Sequence, residues 1–182
     1  VYPFCFELNV TYRLSEDALE VDATVTNRGD GTMPYAFGLH PGFRWLGASD
    51  ECGLIFDEAE DAQVPVIAPG GLFSDQVRSV PMQGRELPLG GDLFAREALC
   101  FLHARSRGLT LAGPEGRLQV ELEGFPHWVI WSKPCAPFVC LESWTGFGDP
   151  VGFAGDLFEK PGMSQLGVGA LASHRARYVF TA

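Results

Sequence analysis

The chain has 182 residues, of which 46% are hydrophobic and 20% are charged, a composition typical of a soluble globular protein with one sizeable core. The net charge of −10 argues against a nucleic-acid partner and against anionic membranes, since both favour basic surfaces. No apolar run approaches the roughly 18 residues of a membrane-spanning helix. Five scattered cysteines without a C-x-x-C pair predict free thiols in a reducing compartment, and therefore a cytoplasmic location.

Alternating apolar residues predict a β-hairpin at the start of the chain. Apolar side chains recur at every second position in 4–12 and again in 19–25, the period of a strand with one buried face. The polar stretch 14–18 joins the two strands as a turn, and R-G-D-G at 28–31 forms the next turn.

The stretch YAFGLHPGF at 35–43 places a histidine where a predicted strand ends. Pro41 restricts the backbone directly after His40, and Gly38 would let a ligand approach the strand closely. An imidazole held in this way is a well-positioned acid or base. From the residues alone, this interpretation and that of a structural histidine remain equally open.

The middle and the end of the chain predict loops followed by more strands. Residues 47–92 are rich in turn-forming residues and predict long surface loops. No segment predicts a full helix, and 59–64 and 94–99 have room for one or two helical turns. The later strands are predicted at 109–112, 118–122, 128–131, 138–141 and 177–181. Many short strands, with 22 glycines and 13 prolines, predict an all-β fold: one antiparallel β-sandwich domain over 1–182.

A carboxylate closes the apolar strand FVCLESWTG at 138–146. The period of two places Cys140 and Glu142 on the same face. Desolvation near Trp144 would raise the pKa of Glu142 and make it a better base near neutral pH. Trp144 also offers a flat apolar surface of the kind on which sugars stack. The alternative is a strand-end glutamate in water.

Other candidates for chemistry are weaker. His103, His127 and His174 are predicted to be structural, with His103 in a strand and His174 on the surface. Phosphate-binding loops and dinucleotide fingerprints are absent from the sequence, and the cysteines and histidines do not have zinc-site spacing.

The segments FGLHPGF at 37–43 and CLESWTG at 140–146 together resemble the aldose 1-epimerase (galactose mutarotase-like) family, and EKPGM at 159–163 resembles a segment that follows the glutamate there. The resemblance implies a large antiparallel β-sandwich that interconverts the α and β anomers of a free hexose without a cofactor or a metal. It implies Glu142 as the base on the anomeric hydroxyl and His40 as the acid toward the ring oxygen.

The resemblance also implies contacts to the sugar hydroxyls. A carboxylate in the middle region should hold them, with Glu97 as the first candidate and Asp92 as the second. Phe37, Arg44 and Trp144 complete the set of expected substrate contacts.

Members of that family are usually longer, so we expect this chain to lack an N-terminal part of the pattern. A sandwich that lacks strands exposes unpaired edges, which leaves homo-oligomerisation and inactivity both open. Two other functions also stay open. One is a hexose-6-phosphate mutarotase, for which Arg44 is the nearest basic residue. The other is a non-catalytic carbohydrate-binding β-sandwich.

Overall fold

The computed structural model describes residues 2–90 and 92–181, and most of its regular structure is β-strand. The strands are β1 Phe6–Leu14, β2 Ala18–Asn27, β3 Met33–Tyr35, β4 Gly38–Leu39, β5 Gly42–Arg44, β6 Gly53–Phe56, β7 Gln63–Ala68, β8 Leu72–Ser79, β9 Glu86–Pro88, β10 Leu99–Phe101, β11 Gly108–Gly113, β12 Gly116–Glu123, β13 His127–Trp131, β14 Phe138–Trp144, β15 Ser164–Leu166 and β16 Leu171–Thr181. Within the described residues, helical structure is limited to one 3-10 turn at Ser49–Glu51. No helix in this part of the chain is long and apolar enough to span a membrane.

Two sheets carry most of the strands. The first sheet has seven strands in the order β1-β2-β16-β12-β11-β6-β9. The second sheet has the order β10-β13-β14-β4, and β5 also pairs with β14. The pairings within both sheets are antiparallel. The predicted hairpin at the start of the chain is confirmed, because β1 and β2 pair antiparallel along their length.

The two sheets pack face to face over one core of buried side chains. In β12, the inward residues Leu118, Val120 and Leu122 are buried and alternate with outward residues that are exposed. Trp128 and Ile130 of β13 meet them from the second sheet and are fully buried. The predicted all-β antiparallel sandwich is therefore confirmed, whereas the single domain over 1–182 stays a prediction.

The opposite face of the second sheet, called here the site face, carries Cys100, Val129 and Glu142 in one row across β10, β13 and β14. Phe73, from the hairpin of β7 and β8, packs on Cys100 and Val129 and covers one side of this face. The other side is open at His40, whose side chain is 59% exposed.

The region 47–92 differs from the expected surface loops. It contains β6, β7, β8 and β9, and Leu54 and Phe56 of β6 are fully buried in the main core. Neither 59–64 nor 94–99 forms a helix, and strand β7 begins at Gln63. The last strand, β16, begins at Leu171, well before the predicted position 177.

β1 lies at the edge of the first sheet and is exposed along its whole length. Its apolar residues point to the same side as the buried residues of β2, because directly paired residues share a face. Tyr2 packs on Phe6 at one end of this side, and the exposure of the apolar side chains rises toward Leu14 at the other end. The exposed apolar residues are Phe6, Leu8, Val10, Tyr12 and Leu14.

Candidate active site

His40 and Glu142 lie next to each other at the open side of the site face. Glu142 lies in β14, which pairs with both β4 and β5, and His40 lies between those two short strands. The backbone N–H of Leu141 donates a hydrogen bond to the Pro41 carbonyl oxygen at 3.3 Å, which ties the connecting segment to β14. The abrupt end of β4 before Pro41 therefore places His40 alongside Glu142.

The side chains of His40 and Glu142 meet. Nε2 of His40 is 3.3 Å from Oε1 of Glu142, and the indole N–H of Trp144 donates to Oε2 of Glu142 at 3.0 Å. The Glu142 side chain is 2% exposed, so a buried carboxyl group lies beneath an accessible imidazole. Since Trp144 holds one carboxylate oxygen, the other is left to face His40.

Burial raises the pKa of Glu142 to about 7, while the hydrogen bond from Trp144 lowers it more weakly. The predicted rise is confirmed, but Trp144 does not contribute to it through its N–H, which stabilises the charged carboxylate. A carboxyl group with a pKa near 7 can accept and return a proton at neutral pH.

Gly38 is required by the packing of Trp144, whereas the close approach of a ligand at this glycine stays a prediction. A Cβ atom at position 38 would lie 2.9 Å from Cδ1 of Trp144 and 3.2 Å from the carbonyl oxygen of Ser143. Gly38 and Trp144 are direct partners in the pairing of β4 with β14. The bare backbone of β4 therefore leaves room for the indole ring that donates to Glu142.

Two further side chains border the pair and did not emerge as functional candidates from the sequence. The ligand atoms of His40, Cys140 and Glu142 all lie within 4.8 Å of one another. The ring of Trp131 is 6.1 Å from that of His40, edge to face. Cys140 lies on the same face as Glu142, as the period of two predicts. Trp131 lies beside them because it pairs directly with Cys140 across β13 and β14. That contact depends on the register of the hairpin formed by β13 and β14, which the sequence analysis did not assign.

Neither middle carboxylate is bonded to the pair in the described residues, and their contacts to a sugar stay predictions. Asp92 lines a separate cavity of about 100 Å³. Glu97 is exposed and adopts a left-handed backbone conformation, with φ of 68°. No hydrogen bond or ion pair in residues 2–90 and 92–181 joins either side chain to His40 or Glu142. Their expected contacts to the sugar therefore gain no support from the geometry.

Phe37 and Arg44 also lie away from the pair. The ring of Phe37 stacks on His174 and Phe125, at 5.6 Å and 6.0 Å, and belongs to the interior packing. Arg44 forms an exposed ion pair with Glu115 at 2.7 Å. Of the expected substrate contacts, Trp144 lies beside Glu142.

The remaining histidines have structural surroundings. His174 is 5% exposed and not on the surface as predicted, with Tyr35 Oη at 3.2 Å and the Gly124 carbonyl oxygen at 2.9 Å. His103 lies in an exposed turn with φ of 54°, so its predicted strand is wrong. Its backbone N–H donates to Nδ1 of the buried His127 at 2.9 Å.

Known proteins resemble this chain over most of its length. The family model described as aldose 1-epimerase matches residues 1–154. The plasmid-encoded protein LacX of Lactococcus lactis subsp. lactis is 30% identical over 175 residues, which cover 91% of this chain and 58% of LacX. A galactose mutarotase-like protein from Lactobacillus casei is 30% identical with a TM-score of 0.89, covering 98% of this chain and 64% of that protein.

A galactose mutarotase related enzyme from Lactobacillus acidophilus is 26% identical with a TM-score of 0.84, covering 100% of this chain and 63% of that protein. The chain thus spans about three fifths of the length of the relatives it matches. The matched residues 1–154 include both strands that meet at the His40–Glu142 pair. The chain belongs to the aldose 1-epimerase family.

Proposed function

We propose that the chain is an aldose 1-epimerase, an isomerase that interconverts the α and β anomers of a free hexose by acid–base ring opening. The observation that carries this proposal is the 3.3 Å approach of His40 Nε2 to Glu142 Oε1 at the open side of the site face. Membership of the family supports the class of reaction.

Ring opening requires two proton transfers at one anomeric carbon. Glu142 removes the proton from the O1 hydroxyl, the C1–O5 bond breaks as the C1=O1 carbonyl forms, and His40 delivers a proton to O5. O1 and O5 are bonded to the same carbon, so the base and the acid must lie close together. Rotation about C1–C2 exposes the other face of the aldehyde. As the ring closes, Glu142 returns its proton to O1, and His40 takes its proton back from O5.

The surroundings of Glu142 suit this cycle. Because the indole N–H of Trp144 holds Oε2, the carboxyl group presents Oε1 to the anomeric hydroxyl. A pKa of about 7 allows Glu142 to accept the proton and give it back within one turnover. The carbonyl forms by proton transfer alone, so the proposed reaction needs no cofactor.

A free hexose is favoured over a hexose 6-phosphate as the substrate. Arg44, the basic residue predicted to contact a phosphate, is instead paired with Glu115 at 2.7 Å. The net charge of −10 also disfavours an anionic substrate. The cytoplasmic location and the homo-oligomer stay predictions.

Anomer exchange followed by NMR, in glucose or galactose, tests the proposal. Glu142→Gln should slow exchange about 10²–10⁴-fold, the usual contribution of one acid–base group. Glu16→Gln, in the exposed turn of the first hairpin, should keep the parent rate. Equal rates for Glu142→Gln and the parent would contradict the proposal.

Two further outcomes would support the alternative functions. Sugar binding by calorimetry with no exchange would support the carbohydrate-binding alternative, and faster exchange of glucose 6-phosphate would support the phosphorylated substrate.

A further inference from the structure

The side chains of His40, Cys140 and Glu142 have the chemistry of a metal site as well as that of an acid–base pair. Their ligand atoms, an imidazole nitrogen, a thiol sulfur and a carboxylate oxygen, lie within 4.8 Å of one another. Imidazole, thiolate and carboxylate are the three ligand types that zinc takes in proteins.

The spacing of these ligand atoms, at most 4.8 Å, is near that of three corners of a zinc-centred tetrahedron. Bonds of about 2.0–2.3 Å to zinc place its ligand atoms roughly 3–4 Å apart. The 3.3 Å between His40 Nε2 and Glu142 Oε1 already falls in that range. Cys140 and Glu142 are two residues apart on one strand and hold two corners in place. The exposed imidazole of His40 can supply the third by a small side-chain movement.

Solvent can supply the fourth ligand from the side of His40, whose side chain is 59% exposed, whereas Cys140 is buried. Gly42 pairs with Cys140, and a Cβ atom at Gly42 would lie 3.7 Å from Sγ, so the glycine adds no side chain beside the thiol.

We propose that His40, Cys140 and Glu142 bind one zinc ion, with solvent as the fourth ligand, and that this ion inhibits the enzyme. The ion takes the lone pairs of the imidazole and the carboxylate that the acid–base reaction needs. Binding replaces the thiol proton, which is released to solvent. The inhibition rests on the proposed function, whereas the binding does not.

The donor set also predicts which ions bind. A thiolate and an imidazole select borderline and soft ions such as Zn²⁺ and Co²⁺, whereas Mg²⁺ requires oxygen ligands in octahedral geometry. We therefore expect Zn²⁺ to slow anomer exchange in competition with the sugar, and Mg²⁺ to leave the rate unchanged.

Titration with Co²⁺ in the absence of sugar tests the binding. Cys5 and Cys135 are exposed, so both are first replaced by Ser to leave the buried thiols. We expect one Co²⁺ per chain, with the charge-transfer absorption of a thiolate ligand. Cys140→Ala should abolish this absorption. Cys100→Ala, which removes another buried thiol of the site face that lies outside the cluster, should keep it.

A second variant separates a loss of metal binding from a loss of folding. His40→Ala changes an exposed side chain and should weaken Co²⁺ binding by at least about tenfold while the metal-free unfolding temperature stays at the parent value. The binding proposal is overturned if the thiolate absorption is absent, survives Cys140→Ala or is lost in Cys100→Ala. Binding without slower anomer exchange would overturn the inhibition alone. An absence of exchange in metal-free protein would overturn the proposed function and leave the binding result standing.

Discussion

The carboxyl group of Glu142 has a pKa of about 7 in the folded chain, against an ordinary value of 4.5, because burial penalises its charged form. The folded chain therefore binds this proton more tightly than the unfolded chain does. The stabilisation that the proton gives is fully present below pH of about 4.5 and is lost as the pH rises through about 7. The burial that raises the pKa of Glu142 thus lowers the stability of the fold at neutral pH.

Glu142→Gln should remove this penalty, because the amide is neutral at every pH and its oxygen can still accept from Trp144. We expect the free energy of unfolding at pH of about 8 to exceed that of the parent by about 2–3 kcal/mol, with the difference shrinking toward pH of about 5. Urea unfolding at both pH values measures it, with Glu16→Gln as the control. A variant no more stable than the parent at the higher pH would contradict the assigned burial penalty.

The sequence predicts a site residue best where a short continuous motif contains that residue. The H-P-G segment and the L-E-S-W segment each identify one member of the pair, because a strand end and a period of two decide which way His40 and Glu142 point. The expected middle carboxylates, Asp92 and Glu97, form no hydrogen bond or ion pair with His40 or Glu142 in the described residues. Their position depends on how the long segment between the motifs folds back, and no local pattern encodes that path.

β4 is two residues long, and its packing depends on the absence of a side chain at Gly38. Gly38→Ala would place a Cβ atom 2.9 Å from Cδ1 of Trp144, so the indole ring must move away from Glu142. We expect a loss of about 1–3 kcal/mol in the free energy of unfolding, typical of overpacking, together with slower anomer exchange.

The matched control is Gly31→Ala, where a Cβ atom would have no neighbour within 4 Å. Chemical unfolding and NMR exchange are measured for both variants. If Gly38→Ala behaves like Gly31→Ala in both measurements, the contact between β4 and Trp144 does not position the base.

At the scale of elements, prediction succeeded for strands with one buried face. β1, β2 and β12 have clean alternation, and the turns between neighbouring strands have strong signals. β7 and β8 lie in the region predicted as loops, because turn-forming residues and a proline within β7 conceal the strand pattern there. The structure has a register shift in this hairpin, between Pro65 and Ile67. The pairing of β4 and β5 with β14 joins segments about a hundred residues apart, and this is the pairing that assembles the site.

The whole molecule has an apolar strand at one edge, since β1 exposes its apolar side chains and its unpaired backbone groups together. Long apolar edge strands favour pairing with another chain. We therefore expect the 182-residue chain to self-associate as its concentration rises.

Tyr12→Lys and Leu14→Lys should weaken that self-association with little loss of stability, because these side chains are 67% and 83% exposed. Thr11→Lys, on the opposite face of β1, is the control and should leave it unchanged. Light scattering across a range of concentrations measures the assembly state. A chain that stays monomeric at every concentration would contradict this interpretation of the edge.

The most direct measurement is the rate of anomer exchange in the parent, His40→Ala, Glu142→Gln and the double variant. If both groups serve one anomeric centre, each is of little use without the other, so the double variant should exchange about as slowly as the slower single variant. Losses that multiply, or a parent rate in His40→Ala, would show that the two side chains do not act as a pair.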